Sequence, residues 1–459
     1  FFFKQKTADE ISLGLVGSEM CIRDRGYGVK YIVKSHLEFF SEQAAFRDYL
    51  VVLEKGTEYD PLVVVLKKLL KDVDIERLSE DVRKFRSSIT DKAENENFLL
   101  LKQPKELVFE YVRNLKPLVA FNTIEGFELF SELIRKIKHL PTLEKLNVSI
   151  FQYNPGFYIG DRDTAKYARK LFTSRYEARA PSLVFWVDEV KDKEIKLRTR
   201  DGRKFKVKKD QVVYSLRTYA GVKHMDLTNE EEYAIIDPNA IPKEIREVTG
   251  LVDSKKLDEA CRDIREAYRD HAGNILLGRK VRLTTICHLA YYSKNKAIGT
   301  TSALLNLDTN ISDETKKALV LYLNSSFTVI QLLALLSEVE GAWVTLHEEP
   351  IWSLVHIPDF NNLEDSTIKE AVKIFEEIGK LDIKPLYQRI REKDEVQRKI
   401  DKISMKILGI DFDLDRLYEV LARELGILSS IRTSRGRSRR SRSEESESYQ
   451  ITLDEFWTL

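Results

Sequence analysis

Metal chemistry has little to work with in this chain. Its 459 residues include 3 Cys and 7 His. Cys21, Cys261 and Cys287 form no CxxC pair and show no regular spacing, which argues against a zinc ribbon or a disulfide framework and suits a reducing compartment. His288 stands beside Cys287, but no further ligand follows at metal spacing, so no metal is expected. Neither sign of charge is in excess: Lys and Arg total 75, Asp and Glu 74, for a net charge of +1. The whole-chain field therefore selects no partner, and any affinity for polyanions must come from local patches. Long apolar runs are scarce as well. Residues 318–336, ALVLYLNSSFTVIQLLALL, carry no charge over a stretch nearly long enough to cross a bilayer. Asn324, Ser325, Ser326, Thr328 and Gln331 interrupt it with polar groups that lipid cannot satisfy. The run reads as a helix buried in a large soluble core, with no membrane as partner.

What is present suffices for several cores. At 43% hydrophobic and 10% aromatic the chain can bury them, and its length suggests about two to four domains. Its Lys, Glu and Ile content, with only 3 Met, suits a thermophile. Residues 1–25, FFFKQKTADEISLGLVGSEMCIRDR, resemble the conceptual translation of sequencing-adapter DNA. They make a poor signal peptide: the apolar part is short, no small-residue cleavage site follows, and Asp9 and Glu10 spoil the basic region. These residues are expected to be non-native, with coding sequence beginning near Gly26 inside a gene.

Further along, residues 29–33 and 48–55 read as strands, the second apolar enough to be covered on both faces. Pro61 followed by Leu62, Val65, Leu66, Leu69, Leu70 and Val73 predicts a helix over 61–86. A polar linker at 87–97 leads to a second helical stretch at 104–140. From 141 to 358 the texture turns to mixed strand, loop and helix. Asn154-Pro155-Gly156-Phe157 reads there as a turn. The clearest element is a hairpin, 194–200 and 203–209, around the two-residue turn Asp201-Gly202. Ile195, Leu197, Thr199, Phe205 and Val207 mark an apolar face. Lys196, Arg198, Arg200, Arg203, Lys204, Lys206 and Lys208 give the other face a basic ribbon. Residues 364–428 return to helix, and the Arg-Ser-rich tail from 429 should be disordered. Trp343, Trp352, His356 and Asn324 read as core residues.

Three passages resemble one family. The first is Tyr31-Ile-Val-Lys-Ser with Phe40-Ser41, Phe46-Arg47-Asp48 and the strand ending at Gly56. The second is Leu323-Asn-Ser-Ser326, then Gly341-Ala-Trp343, then Leu354-Val-His-Ile-Pro358. The third is Arg398-Lys-Ile-Asp401, Leu408-Gly409, Leu417-Tyr418 and Glu424-Leu425. In this order they are similar to the end of the catalytic domain, the close of the target-recognition region and the C-terminal helices of S-adenosylmethionine-dependent DNA adenine-N6 methyltransferases. The type is the large restriction-modification or phage-defence enzyme with a fused target-recognition domain.

The resemblance implies an α/β and α+β multidomain chain. The remnant of a class I methyltransferase sheet would occupy 26–56 and a helical connector 57–140. A mixed α/β target-recognition domain that binds DNA would occupy 141–358, a C-terminal helical domain 359–428, and a disordered tail 429–459. It implies double-stranded DNA as partner, restriction or defence-system subunits beside it, and a prokaryotic cytoplasm, with an archaeal source in keeping. The intact enzyme would move a methyl group from S-adenosylmethionine to a flipped adenine. Its Phe-x-Gly-x-Gly loop and Asn-Pro-Pro-Tyr tetrapeptide would lie before residue 26. The chain is therefore expected to be an inactive fragment, holding no catalytic or cofactor-binding residue of its own. A stand-alone DNA-binding specificity module is the alternative, and upstream genomic sequence separates the two. Either way, DNA contact is expected from the hairpin residues Lys196, Arg198, Arg200, Arg203, Lys204, Lys206 and Lys208. A second basic group, Arg162, Lys166 and Arg169 with Lys170, Arg175 and Arg179, and also Arg217, would join them.

Overall fold

The computed structural model describes residues 27–35, 49–55, 60–104, 116–146, 167–176, 185–299, 304–338, 343–346 and 351–430. Within them the chain is a mixed α/β and α+β fold whose strands form four sheets. Strands β1 (Tyr27–Ser35), β2 (Leu50–Lys55), β3 (Leu62–Leu66), β4 (Lys92–Glu94) and β5 (Phe98–Lys102) make the first, in the order β2-β1-β3-β5-β4. β1 and β3 run parallel, and the other pairs are antiparallel.

The helix expected from residue 61 is a central strand instead, and the helix α1 (Ile75–Arg86) starts only after Asp74 caps it. A short apolar run fits either period, and three consecutive valines favour the pleated form. Val63 and Val65 enter the main core, while Leu62, Val64 and Leu66 join Phe85, Phe98 and Leu100 in a smaller one. The strand covered on both faces is thus β3. β2, expected in that role, is an edge strand with Leu50 and Leu53 each 37% exposed. The polar linker contains β4. The second helical stretch is represented by α2 (Ile124–Ile137), with 105–115 outside the described residues. Within 57–140 the described residues thus hold strands β3, β4 and β5 beside helices α1 and α2.

Strands β6 (Thr173–Ser174), β7 (Phe185–Val190), β8 (Glu194–Thr199) and β9 (Lys204–Lys208) form a second sheet in sequence order. A third combines β10 (Val212–Leu216), β11 (Glu232–Ile235), β12 (Gly273–Gly278), β14 (Ala290–Gly299) and β15 (Leu304–Leu307) in the order β11-β10-β14-β12-β15. β13 (Lys280–Arg282), β16 (Ser337–Glu338) and β17 (Trp343–Thr345) make a small fourth. Helices α3 (Lys243–Thr249) and α4 (Ser254–His271) share one apolar core with strands of the second and third sheets. There Leu257, Ala260, Cys261 and Ile264 share a cluster with Ile195, Leu197, Phe205 and Val207.

The uncharged run is two helices rather than one, α5 (Asp313–Leu323) and α6 (Ser326–Leu335), bent by 64° and buried from Ala318 to Ala334. Asn324 makes the break. Its side chain accepts from Leu289 N at 2.7 Å and donates to Ala290 O at 2.8 Å, and Ser325 caps α6. Among the described residues no single helix is long and apolar enough to cross a membrane. Helices α7 (Asp365–Ile378), α8 (Leu386–Arg391), α9 (Glu395–Leu408) and α10 (Leu414–Ser430) fill the stretch expected to be helical and end the described residues. α10 takes up Ser429 and Ser430, assigned above to the tail, and residues 431–459 lie outside the described set. Trp352 is buried, but Trp343, expected in the core, is 37% exposed. His356 forms an isolated antiparallel bridge with Thr142. The main core runs from Val29 in β1 to Leu428 in α10.

Candidate nucleic-acid interface

The hairpin forms because residues of period two face one apolar layer. β8 and β9 pair from Glu194 opposite Lys208 to Arg198 opposite Lys204. Ile195, Leu197, Thr199, Phe205 and Val207 are buried, while Lys204, Lys206 and Lys208 are exposed and Lys196 and Arg198 half-buried. The connection is three residues long, not two. Thr199 N donates to Arg203 O at 2.9 Å, Gly202 N donates to Thr199 O at 3.0 Å, and Gly202 takes φ +88°. This is the three-residue hairpin loop that ends in a left-handed glycine. Asp201 accepts from the Thr199 hydroxyl and holds the loop closed.

β7 adds a third strand beside the ribbon. Trp186 pairs with Arg198, whose guanidinium lies 5.5 Å from the indole centre. The register slips between Val187 and Glu189, so that Glu189 stands opposite Lys196 and Asp188 bulges out. Asp188 reaches Arg198 Nε at 2.9 Å and Lys204 Nζ at 3.8 Å. Glu189 pairs with Lys196 and lies 3.7 Å from Lys191. Lys206 reaches Glu194 at 2.9 Å and Arg203 reaches Asp201 at 3.0 Å. Hydrogen bonds from Lys196, Lys206 and Thr199 hold the carboxyls of Glu189, Glu194 and Asp201 below the usual range, and Glu189 in turn raises Lys196. The ribbon is therefore not uniformly basic. It is a mixed face on which cations outnumber carboxylates, with exposed Lys208 and Lys209 beyond the paired set.

The second basic group is dispersed. Arg162, Lys166 and Arg179 lie outside the described residues, as does Asn154-Pro155-Gly156-Phe157. Arg169 is exposed on a helical turn at 167–170, and Lys170 donates to Thr249 O at 3.3 Å. Arg217 and Arg175 converge on the buried Glu232, their backbone nitrogens donating to it at 2.6 and 2.8 Å. Burial raises Glu232 to about 7, against the pull of donors from Arg217, Ser174 and Arg175. Desolvation also lowers the half-buried Arg217 guanidinium. Glu231 accepts from Ser293 Oγ at 2.6 Å and Asn295 Nδ2 at 2.9 Å. Glu232 thus ties the edge of the second sheet to the third, while Glu231 braces the third sheet at β14. Nothing local in sequence marks them, because their partners lie far away along the chain.

The three passages singled out in sequence meet in the core. Glu424 of α10 accepts from Asn122 N and Thr123 N at 2.9–3.0 Å and from the Thr123 hydroxyl at 2.7 Å. Lys34 of β1 donates to Ala120 O at 3.1 Å, and its charge acts on the Glu424 carboxyl. Asp401 of α9 accepts from Ser326 of α6 and from Tyr418. His288 is buried, bonded through Nε2 to Lys223 O at 2.8 Å. Among the described residues no group of three metal-ligating side chains occurs.

No protein-family model and no curated protein matches the chain. Fourteen chains of solved structures do. One, reported as the type IIG restriction endonuclease BpuSI, is 15% identical with a TM-score of 0.39 over 92% of this chain and 45% of that one. The chain thus spans less than half the length of that structure.

Proposed function

We propose that this chain is the DNA-reading part of a site-specific DNA adenine-N6 methyltransferase of a restriction-modification or defence system. Double-stranded DNA would be its partner, and S-adenosylmethionine would belong to the intact enzyme. The observation that carries the reading is the outer face of β7, β8 and β9. There Lys196, Arg198, Lys204, Lys206 and Lys208 stand in register along β8 and β9, with Arg198 over the Trp186 ring. A two-stranded ribbon such as β8-β9 can enter the major groove, where cations meet phosphates and arginine pairs with guanine edges. The order of the three passages supports the family assignment.

The test is duplex binding by the full chain, followed by fluorescence anisotropy across a salt series. The parent should bind with an affinity that falls steeply with salt. The variant K196E/R198E/K204E/K206E should bind at least roughly tenfold more weakly, with a shallower salt slope. Equal affinity in parent and variant would overturn the site assignment.

A further inference from the structure

The bulge at Asp188 raises a question of its own. In a regular strand, successive side chains point to opposite faces, so Asp188 and Glu189 could not both serve the same side. A bulge inserts one residue and re-aims its neighbour. Here the slip between Val187 and Glu189 leaves Glu189 opposite Lys196 while Asp188 reaches across to Arg198 and Lys204. Neither carboxylate belongs to an apolar core, and β7 needs neither of them to pair with β8. One irregularity thus delivers two negative charges to the cationic face of β8 and β9.

We infer that Asp188 and Glu189 are intramolecular competitors for backbone phosphate, which suppress sequence-independent DNA binding by this face. The inference rests on the DNA-binding reading above. Non-specific affinity comes from cations that release counterions when they meet phosphates. Arg198 and Lys196 already hold a carboxylate each, so a phosphate must displace one to gain either of them. That replacement yields little when nothing else in the duplex fits. Where base edges also engage the ribbon, the added contacts drive the exchange. The pairs then act against wrong sites more than against the right one, as repulsive elements do in other specific interfaces.

The experiment compares three forms of the full chain on a random-sequence 30-base-pair duplex by fluorescence anisotropy: the parent, D188N/E189Q, and the control E76Q/E80Q. The control makes the same change in net charge on α1. D188N/E189Q should bind roughly tenfold more tightly at low salt, with a salt slope steeper by about two as two cations become free for phosphate. The control should follow the parent. If both double variants gain alike, net charge alone is at work and the inference fails. If D188N/E189Q matches a parent that binds duplex with salt dependence, the inference fails and the DNA reading stands. If neither binds duplex at low salt, the DNA reading fails and takes the inference with it.

Discussion

The carboxylate of Asp401 accepts two hydrogen bonds from Ser326, one from its backbone nitrogen and one from its hydroxyl, each at 2.7 Å. This pair joins α9 to the N-terminus of α6, where the free N–H groups favour a negative charge. Tyr418 OH adds a third donor at 2.8 Å. Burial nevertheless raises Asp401 to about 6. Removing the hydroxyl with S326A should cost about 1.5–3 kcal/mol, the range for a hydrogen bond to a charged group. The check is a thermal or urea melt at pH 7, and an unchanged midpoint would mean that Asp401 is satisfied without the Ser326 hydroxyl.

Glu424 gives a second test. It caps the start of α2 from a distance of some three hundred residues in sequence, and Lys34 acts on it. Deleting the carboxylate with E424A leaves a buried cation and several unpaired donors, at about 3–5 kcal/mol. Gly126 shows how closely the carboxylate is held, since a Cβ there would lie 2.5 Å from Glu424 Oε1. G126A should therefore destabilise as well, and the double variant K34M/E424M should recover part of the loss seen in E424A. Melts of the four proteins decide; full stability in E424A would refute the linkage.

His288 makes a pH prediction. Burial, with Arg389 nearby, lowers it from 6.5 to about 3. The folded state thus holds it neutral, and its contribution is present above pH 6.5 and lost as pH falls toward 3. H288Q keeps a donor for Lys223 O without a titrating ring. The stability of the parent relative to H288Q should fall by about 1.4 kcal/mol per pH unit below 6.5. Asp401 works in the opposite sense, since its raised value favours folding as pH falls from about 6 toward 3.8, but it is common to both proteins and cancels. A constant difference between pH 7 and pH 5 would contradict the assignment.

The hairpin loop gives a local test. Gly202 sits at φ +88°, and a Cβ on it would meet no heavy atom within 4 Å, so strain there is purely conformational. G202A should cost about 1 kcal/mol through the backbone alone. A loss well above that in a melt would point to a rearranged turn.

How much of this was legible depends on range. The inward and outward faces of residues 194–209 could be read directly, because strand alternation is local and Ile195, Leu197, Phe205 and Val207 keep strict period. The helices from 364 onward were legible for the same reason. The run Leu62–Leu66 was not, since five apolar residues satisfy both periods and only packing on two faces chooses the strand. The acidic doublet Asp188-Glu189 is visible in sequence. Its placement on the basic face is not, because that depends on a bulge set by pairing with β8.

The amino-acid sequence by itself determined the amphipathic elements, the absence of metal spacing and the position of the polar break at Asn324, all matters of near neighbours and side-chain type. Only the tertiary structure decided that Asp401 meets Ser326, that Lys34 and Glu424 share one buried site, and that the cations of the ribbon come with their own carboxylates. Those outcomes rest on charges brought close by the packing of distant segments, where burial makes each partner necessary to the other.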